Sequence, residues 1–153
     1  MKLYLVQHAK AVSEQVDPQR PLSEEGRLDV QKVATFIKPL GLCIDYLWHS
    51  QKKRAIETAE ILAEVLKINN AKIARDGLAP NDDVKALKDE LLSQRDIMIV
   101  GHLPFVSKLA SLLLAGAESA NVVAFKNAGI VCLNCSDNGH WQIDWMITPE
   151  LIV

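Results

Sequence analysis

Residues 96–101, Asp-Ile-Met-Ile-Val-Gly, form an almost uninterrupted apolar run. Such a run is expected of a central parallel strand covered on both faces. A parallel strand needs a crossover connection, so the flanking segments should be helices. The chain meets that demand. Lys2–Gln7 reads as a first buried strand. Ser23 reads as an N-cap, with Glu24 and Glu25 in the favoured first turn, and Leu28, Val33, Phe36, Ile37 and Leu40 keep helical spacing on one side. Pro39 and Gly41 close that helix. Tyr46–Trp48 is a short second strand, Gln51–Lys67 a helix ended by Asn69-Asn70, and Lys72–Arg75 a candidate third strand. A helix over Val84–Ser93, capped by Asp82 or Asp83, precedes the central run, and a helix opening at Pro104 follows it. After Gly116 the pattern changes to three strands, Val122–Lys126, Ile130–Cys135 and Trp141–Ile147, the last two joined by a hairpin at "SDNGHW".

This order predicts an α/β fold: a three-layer α/β/α sandwich whose mostly parallel sheet carries an antiparallel edge. A length of 153 residues fits a single domain, 1–153. A net charge of −2 argues against a nucleic-acid binder. No apolar run reaches membrane-spanning length, and the first one stops too early for a signal peptide, so a cytoplasmic protein is expected. The cysteines are Cys43, Cys132 and Cys135, an odd number with no disulfide framework. Cys132 and Cys135 sit in one predicted strand, without the second ligand pair a zinc site needs. The four histidines are scattered. Neither a P-loop nor a dinucleotide fingerprint is present.

Open α/β sheets bind ligands beyond the carboxyl ends of their strands. His8 and His102 each stand at such an end, so neighbouring strands would bring the two imidazoles over one crevice. Ser50 ends the second strand. Arg54 and Thr58 lie one turn apart on the helix that follows and share a face. Arg54 is thus a candidate anion clamp or, alternatively, an exposed arginine in a charged patch with Lys52 and Lys53. His49 reads as a strand-end residue and His140 as exposed in its hairpin. Trp141 and Trp145, four apart in a strand, are expected on one face.

The stretches "LYLVQHAKA", "RPLSEEG", "HSQKKRAIETAEIL", "IVGHLP", "FKNAG" and "ITPEL" resemble, in this order, the histidine phosphatase superfamily, and in particular its short SixA-type phosphohistidine phosphatase branch. The resemblance implies a phosphoglycerate mutase-like fold. His8, Ser50, Arg54, Thr58, Gly101 and His102 match the pattern residue by residue. It implies that His8 attacks phosphorus and carries a phosphoryl group, that Arg54 holds phosphoryl oxygens and that His102 donates to another, with no metal or cofactor.

Two positions depart from the pattern: Gln7 stands where the family has arginine, and Ala9 where it has glycine. Losing one charge-assisted hydrogen bond, worth ~1.5–3 kcal/mol, corresponds to roughly 10- to 150-fold in rate. Arg20 is a candidate replacement, the alternative being a solvated loop charge. Asp83 is the candidate general acid, with Asp82 as its rival and helix capping as a sufficient structural role for either. The short loop Asp76–Asp83 leaves no room for a lid, which implies a shallow site suited to a phosphorylated histidine presented by a signalling or phosphotransfer protein. A small phosphomonoester is the other substrate class. A phosphoprotein-binding module with little turnover is the competing function, with Gln7 as its mark.

Overall fold

The computed structural model describes residues 1–91 and 95–153. Ten elements follow in chain order: β1 (Lys2–Gln7), α1 (Glu24–Ile37), β2 (Cys43–His49), α2 (Lys53–Ala63), β3 (Lys67–Ala74), α3 (Val84–Glu90), β4 (Ile97–Gly101), α4 (Phe105–Ala115), β5 (Ile130–Cys135) and β6 (Trp141–Ile147). The strands form one sheet in the order β3-β2-β4-β1-β5-β6. The first four run parallel; β5 is antiparallel to β1, and β6 to β5.

Side-chain alternation divides the core between the two faces. Leu3, Leu5, Ile97 and Ile99 pack with α3 and α4. Tyr4, Val6, Met98 and Val100 pack with α1 and α2. All five residues of β4 are buried, as its apolar run predicts, because β2 and β1 flank it and helices cover it. The result is the expected three-layer α/β/α sandwich.

Ser23 caps α1 by accepting the Gly26 N–H at 3.0 Å, with Glu24 and Glu25 in the first turn. Its buried stripe is Gly26, Val30, Val33, Ala34 and Ile37. Leu28, Phe36 and Leu40, expected on that side, are exposed instead, at 59%, 48% and 55%. Hydropathy misses the stripe because one of its anchors is a glycine. A Cβ at residue 26 would lie 2.1 Å from the Lys10 carbonyl oxygen, so the helix can approach the chain after β1 only without a side chain there.

Further differences have physical causes. The helix expected over 51–67 ends at Ala63, and β3 runs through Asn69-Asn70. The reason is β2, which extends over Cys43–His49 and offers a longer ladder, with Cys43 paired to Lys67 and the Asn69 amide donating to Asp45 Oδ1 at 3.1 Å. Tertiary pairing overrides local propensity. Helix α3 begins as expected at Val84; Ser93, its expected end, lies outside the described residues. Residues 122–126 do not form a strand: both edges of β5 are occupied by β1 and β6, so the segment has no ladder on β5 to join. It still buries Val123 and Phe125 in the α3–α4 face.

Trp141 and Trp145 fall on opposite faces, not one. The register shifts between Cys132↔Trp145 and Leu133↔Ile143, so β6 spends two residues where β5 spends one. This bulge at Asp144 resets the alternation. Trp145 packs with Tyr4 at 6.0 Å on the α1–α2 side, and Trp141 packs on the other. No helix among the described residues is long and apolar enough to cross a membrane.

Candidate active site

Strands β1 and β4 are direct neighbours, with Gln7 in register with Gly101. The next residue on each is a histidine, and the His8 and His102 rings lie 5.0 Å apart between centroids. The His8 N–H donates to Gly101 O at 3.0 Å, which continues the ladder past the strand tips. From the first turn of α2, the Arg54 Nε–H donates to His8 Nε2 at 3.3 Å. Three groups far apart in sequence thus converge at the carboxyl end of the parallel strands.

The tautomer of each histidine follows from its partners. His8 Nδ1 lies 2.7 Å from the Ala9 carbonyl oxygen, which can only accept, so Nδ1 carries the proton and Nε2 presents a lone pair beside Arg54. His102 Nε2 lies 2.8 Å from Ser50 Oγ. That hydroxyl oxygen also accepts the Lys52 N–H at 3.2 Å, and Ser50 is buried with no acceptor other than His102 Nε2 among its described partners. Its proton therefore goes to His102 Nε2, and His102 Nδ1 bears the N–H. That Nδ1 is enclosed and has no partner of its own.

Burial is the main cause pushing His8 down to about 4 and His102 down to about 3; for His8 the Ala9 carbonyl opposes it and the Arg54 and Arg20 charges reinforce it. Both imidazoles are neutral near pH 7. The lasting positive charge belongs to the arginines. Arg54 is itself lowered, first by burial and then by the Arg20 charge. Arg20 is half-buried, and its charge is among the lesser influences that lower His8 and His102 and, after burial, Arg54. Its Nε donates to Val12 O at 3.1 Å, and its backbone adopts a left-handed φ of 49°. The loop that carries it is pinched shut by the Ala11–Leu22 bridge and the Val12 N–H to Pro21 O bond of 2.9 Å.

The remaining predicted residues have plain positions. Gln7 is buried at the tip of β1, and its Oε1 has no partner. Ala9 is fully buried, its N–H held by Thr58 Oγ1 at 3.0 Å. Asp83 caps α3 by accepting the Lys85 N–H at 2.9 Å, and Asp82 accepts the Ala79 N–H at 2.9 Å. Both carboxylates border a cleft of about 600 Å³ that runs from Ser50 past Lys52, Arg75 and Asp76. His49 is buried, with Nδ1 against Ser50 O at 3.0 Å. His140 is exposed.

Three residues without an assigned role in the sequence reading support the backbone around His8. Thr58 Oγ1 donates to Arg54 O at 2.8 Å while accepting from Ala9, which ties α2 to the chain beyond His8. The Asn127 amide donates to His8 O at 2.9 Å, and the Ala128 N–H donates to Gln7 O at 3.0 Å. The signal for the last two was topological. An antiparallel β5 beside β1 must begin where β1 ends, which puts "KNAG" next to the histidine.

A sequence profile of the histidine phosphatase superfamily (branch 1) matches residues 3–79, which span β1 to the loop after β3 and include His8, Ser50 and Arg54. An uncharacterized protein of Picosynechococcus sp. is 29% identical over 141 residues, covering 87% of this chain and 84% of its own. Among solved structures, the protein histidine phosphatase SixA complexed with tungstate superposes with a TM-score of 0.87 over 100% of both chains at 20% identity. The alpha-ribazole phosphatase from Shigella flexneri superposes with a TM-score of 0.78 over 97% of both at 14% identity. At such identities these two likenesses concern the fold, which is phosphoglycerate mutase-like.

Proposed function

The chain belongs to the histidine phosphatase superfamily, and we propose that it is a cytoplasmic phosphohistidine phosphatase that works through a covalent phosphoryl group on His8. The observation that carries the reading is the meeting of the unprotonated His8 Nε2, the Arg54 guanidinium and the His102 ring at one strand-end crevice. Catalysis of phosphoryl transfer needs positioning and fixed donors more than covalent help. Each part of that requirement has a candidate here.

In the first half-reaction the Nε2 lone pair attacks phosphorus as the bond from phosphorus to the substrate nitrogen breaks. The departing imidazole takes up a proton. Arg54 and the His102 Nδ1–H bind the equatorial oxygens, and the Arg20 charge offsets the arginine missing at position 7. Ala9 supplies the carbonyl that orients His8, and Ser50 orients His102. In the second half-reaction water adds to phosphorus, the bond to His8 Nε2 breaks, and inorganic phosphate leaves with His8 restored. The cleft beside Ser50 is the space for the leaving group, and Asp83 on its wall is the candidate acid. Imidazole departs more readily than an alkoxide, so a capped carboxylate suffices for a phosphorylated histidine better than for an ester. The short 75–83 connection leaves that cleft open to a side chain presented by another protein.

The test is a phosphoryl trap. The protein is mixed with a radiolabelled, phosphorylated histidine phosphotransfer protein and quenched in base. Acid-labile label is expected on His8 and absent in His8→Ala. The enclosed, uncharged Gln7 favours one other reading, a phosphoprotein-binding module without turnover. Binding of the phosphoprotein with no label on the wild-type chain would establish that module instead.

A further inference from the structure

Residues 122–126 have the burial pattern of a strand but no strand beside them. The segment runs without a turn or a bend. Val122, Ala124 and Lys126 are exposed, whereas Val123 and Phe125 are buried at 6% and 9%. A period of two belongs to extended backbone. No backbone N–H of these residues has a hydrogen-bond partner among the described residues, and of their carbonyls only Lys126 O is engaged, by the Gly129 N–H at 2.9 Å. Unpaired N–H and C=O groups along extended chain are a template for another extended chain. The segment is also fixed in place. Val123 and Phe125 anchor it in the core shared with α3 and α4. At one end the Ser107 hydroxyl of α4 donates to Asn121 Oδ1 at 3.4 Å. At the other the Asn127 amide donates to His8 O at 2.9 Å and the Ala128 N–H to Gln7 O at 3.0 Å. Asn121 and Ala128, with left-handed φ values of 51° and 62°, bound the extended stretch. Residues with side chains hold that conformation only where their surroundings impose it. An open edge, ordered in advance, thus ends against the backbone of His8.

We propose that residues 122–126 are a docking edge for an extended stretch of the phosphorylated protein, which adds to them through backbone hydrogen bonds and brings its phosphohistidine to His8. The proposal rests on the phosphatase reading above and narrows its substrate class to phosphohistidine carried in or beside extended polypeptide, as opposed to a small phosphate ester. Pairing of this kind takes its affinity from the main chain, so it makes few demands on the partner's sequence. Because the edge is already held extended, the partner alone has to be ordered on binding.

The probe is a synthetic peptide of about ten residues phosphorylated on a central histidine, long enough at about 3.3 Å per residue to cover the edge and reach His8. Phosphoimidazole, the same leaving group without a backbone, is the reference substrate. The wild-type protein is expected to show a kcat/KM about tenfold or more higher for the peptide. Ala124→Pro deletes one N–H at an exposed position of extended backbone. It is expected to raise the peptide KM about tenfold while leaving the peptide kcat and the turnover of phosphoimidazole unchanged, as befits a contact made equally before and during the reaction. Successive N–H groups of an extended peptide point to opposite sides. Methylating one alternate set of peptide nitrogens should therefore raise KM about tenfold and methylating the other set should leave it unchanged. This pair of peptides decides alone if Ala124→Pro folds poorly. Equal kcat/KM for peptide and phosphoimidazole, or equal effects of the two methylated sets, overturns the docking edge. Phosphoimidazole left intact, with no label on His8, overturns the phosphatase reading itself.

Discussion

Thr58 offers a sharp test of how the site is built, because one buried hydroxyl serves two backbones. Its Oγ1 accepts the Ala9 N–H at 3.0 Å and donates to Arg54 O at 2.8 Å, and the residue is fully buried. Thr58→Val keeps the shape, so no cavity is created, but leaves the Ala9 N–H enclosed without a partner. That costs about 1–3 kcal/mol. Taking about 2 kcal/mol, the melting temperature of a chain this size should fall by about 4–8 °C. The catalytic effect is separate. The Ala9 carbonyl holds His8 Nδ1, so a loosened Ala9 peptide frees the imidazole to rotate. We expect kcat to fall about tenfold, equivalent to about 1.4 kcal/mol of transition-state stabilisation, with a smaller change in KM. Thr58→Ser, which keeps the hydroxyl, should recover most of kcat. Urea denaturation and steady-state turnover of a phosphorylated histidine substrate are the assays. A Thr58→Val protein within about 0.5 kcal/mol of wild type refutes the structural half. Normal kcat in a clearly destabilised protein refutes the catalytic half.

Two other outcomes follow from the same hydrogen bonds. Ser50→Ala removes the donor that fixes His102; ¹⁵N spectra should then show the ring in mixed tautomers with kcat lowered about tenfold, and an unaltered Nδ1–H signal would refute the assignment. Stability should depend on pH through the two neutral imidazoles. Burial lowers both from an unfolded value near ~6.5, so the unfolded chain binds protons that the fold refuses. Their contribution is intact above ~6.5 and is lost as the pH falls toward about 4 and about 3. The urea midpoint should therefore drop across this window, and less so in His102→Asn; an equal drop in both proteins would sink the account.

Much of this arrangement could be read from the chain because strong local signals coincide at the strand tips. Apolar runs that end in His8 and His102, and a helix that begins just before Arg54, locate the three groups without coordinates. Signals that depend on pairing were less visible. Nothing local announces that Asn69-Asn70 joins a strand, since only a longer β2 makes that ladder available. Nor does composition reveal the bulge at Asp144 that sends Trp141 and Trp145 to opposite faces. Asn127 and Ala128 became meaningful once β5 was known to start beside the end of β1. The orphaned Gln7 Oε1 needed a full account of partners, because a sequence shows the missing charge but not what the amide faces.

The pinch between Ala11 and Leu22 separates two kinds of backbone. Inside it, the chain from His8 to Lys10 is locked to α1 and α2 and leaves no slack for added length. Outside it, residues 13–20 form a closed excursion whose two ends already meet. Insertions, exchanged segments or grafted recognition peptides there would hang from a fixed neck, so descendants of this chain can lengthen that excursion without disturbing the backbone of His8.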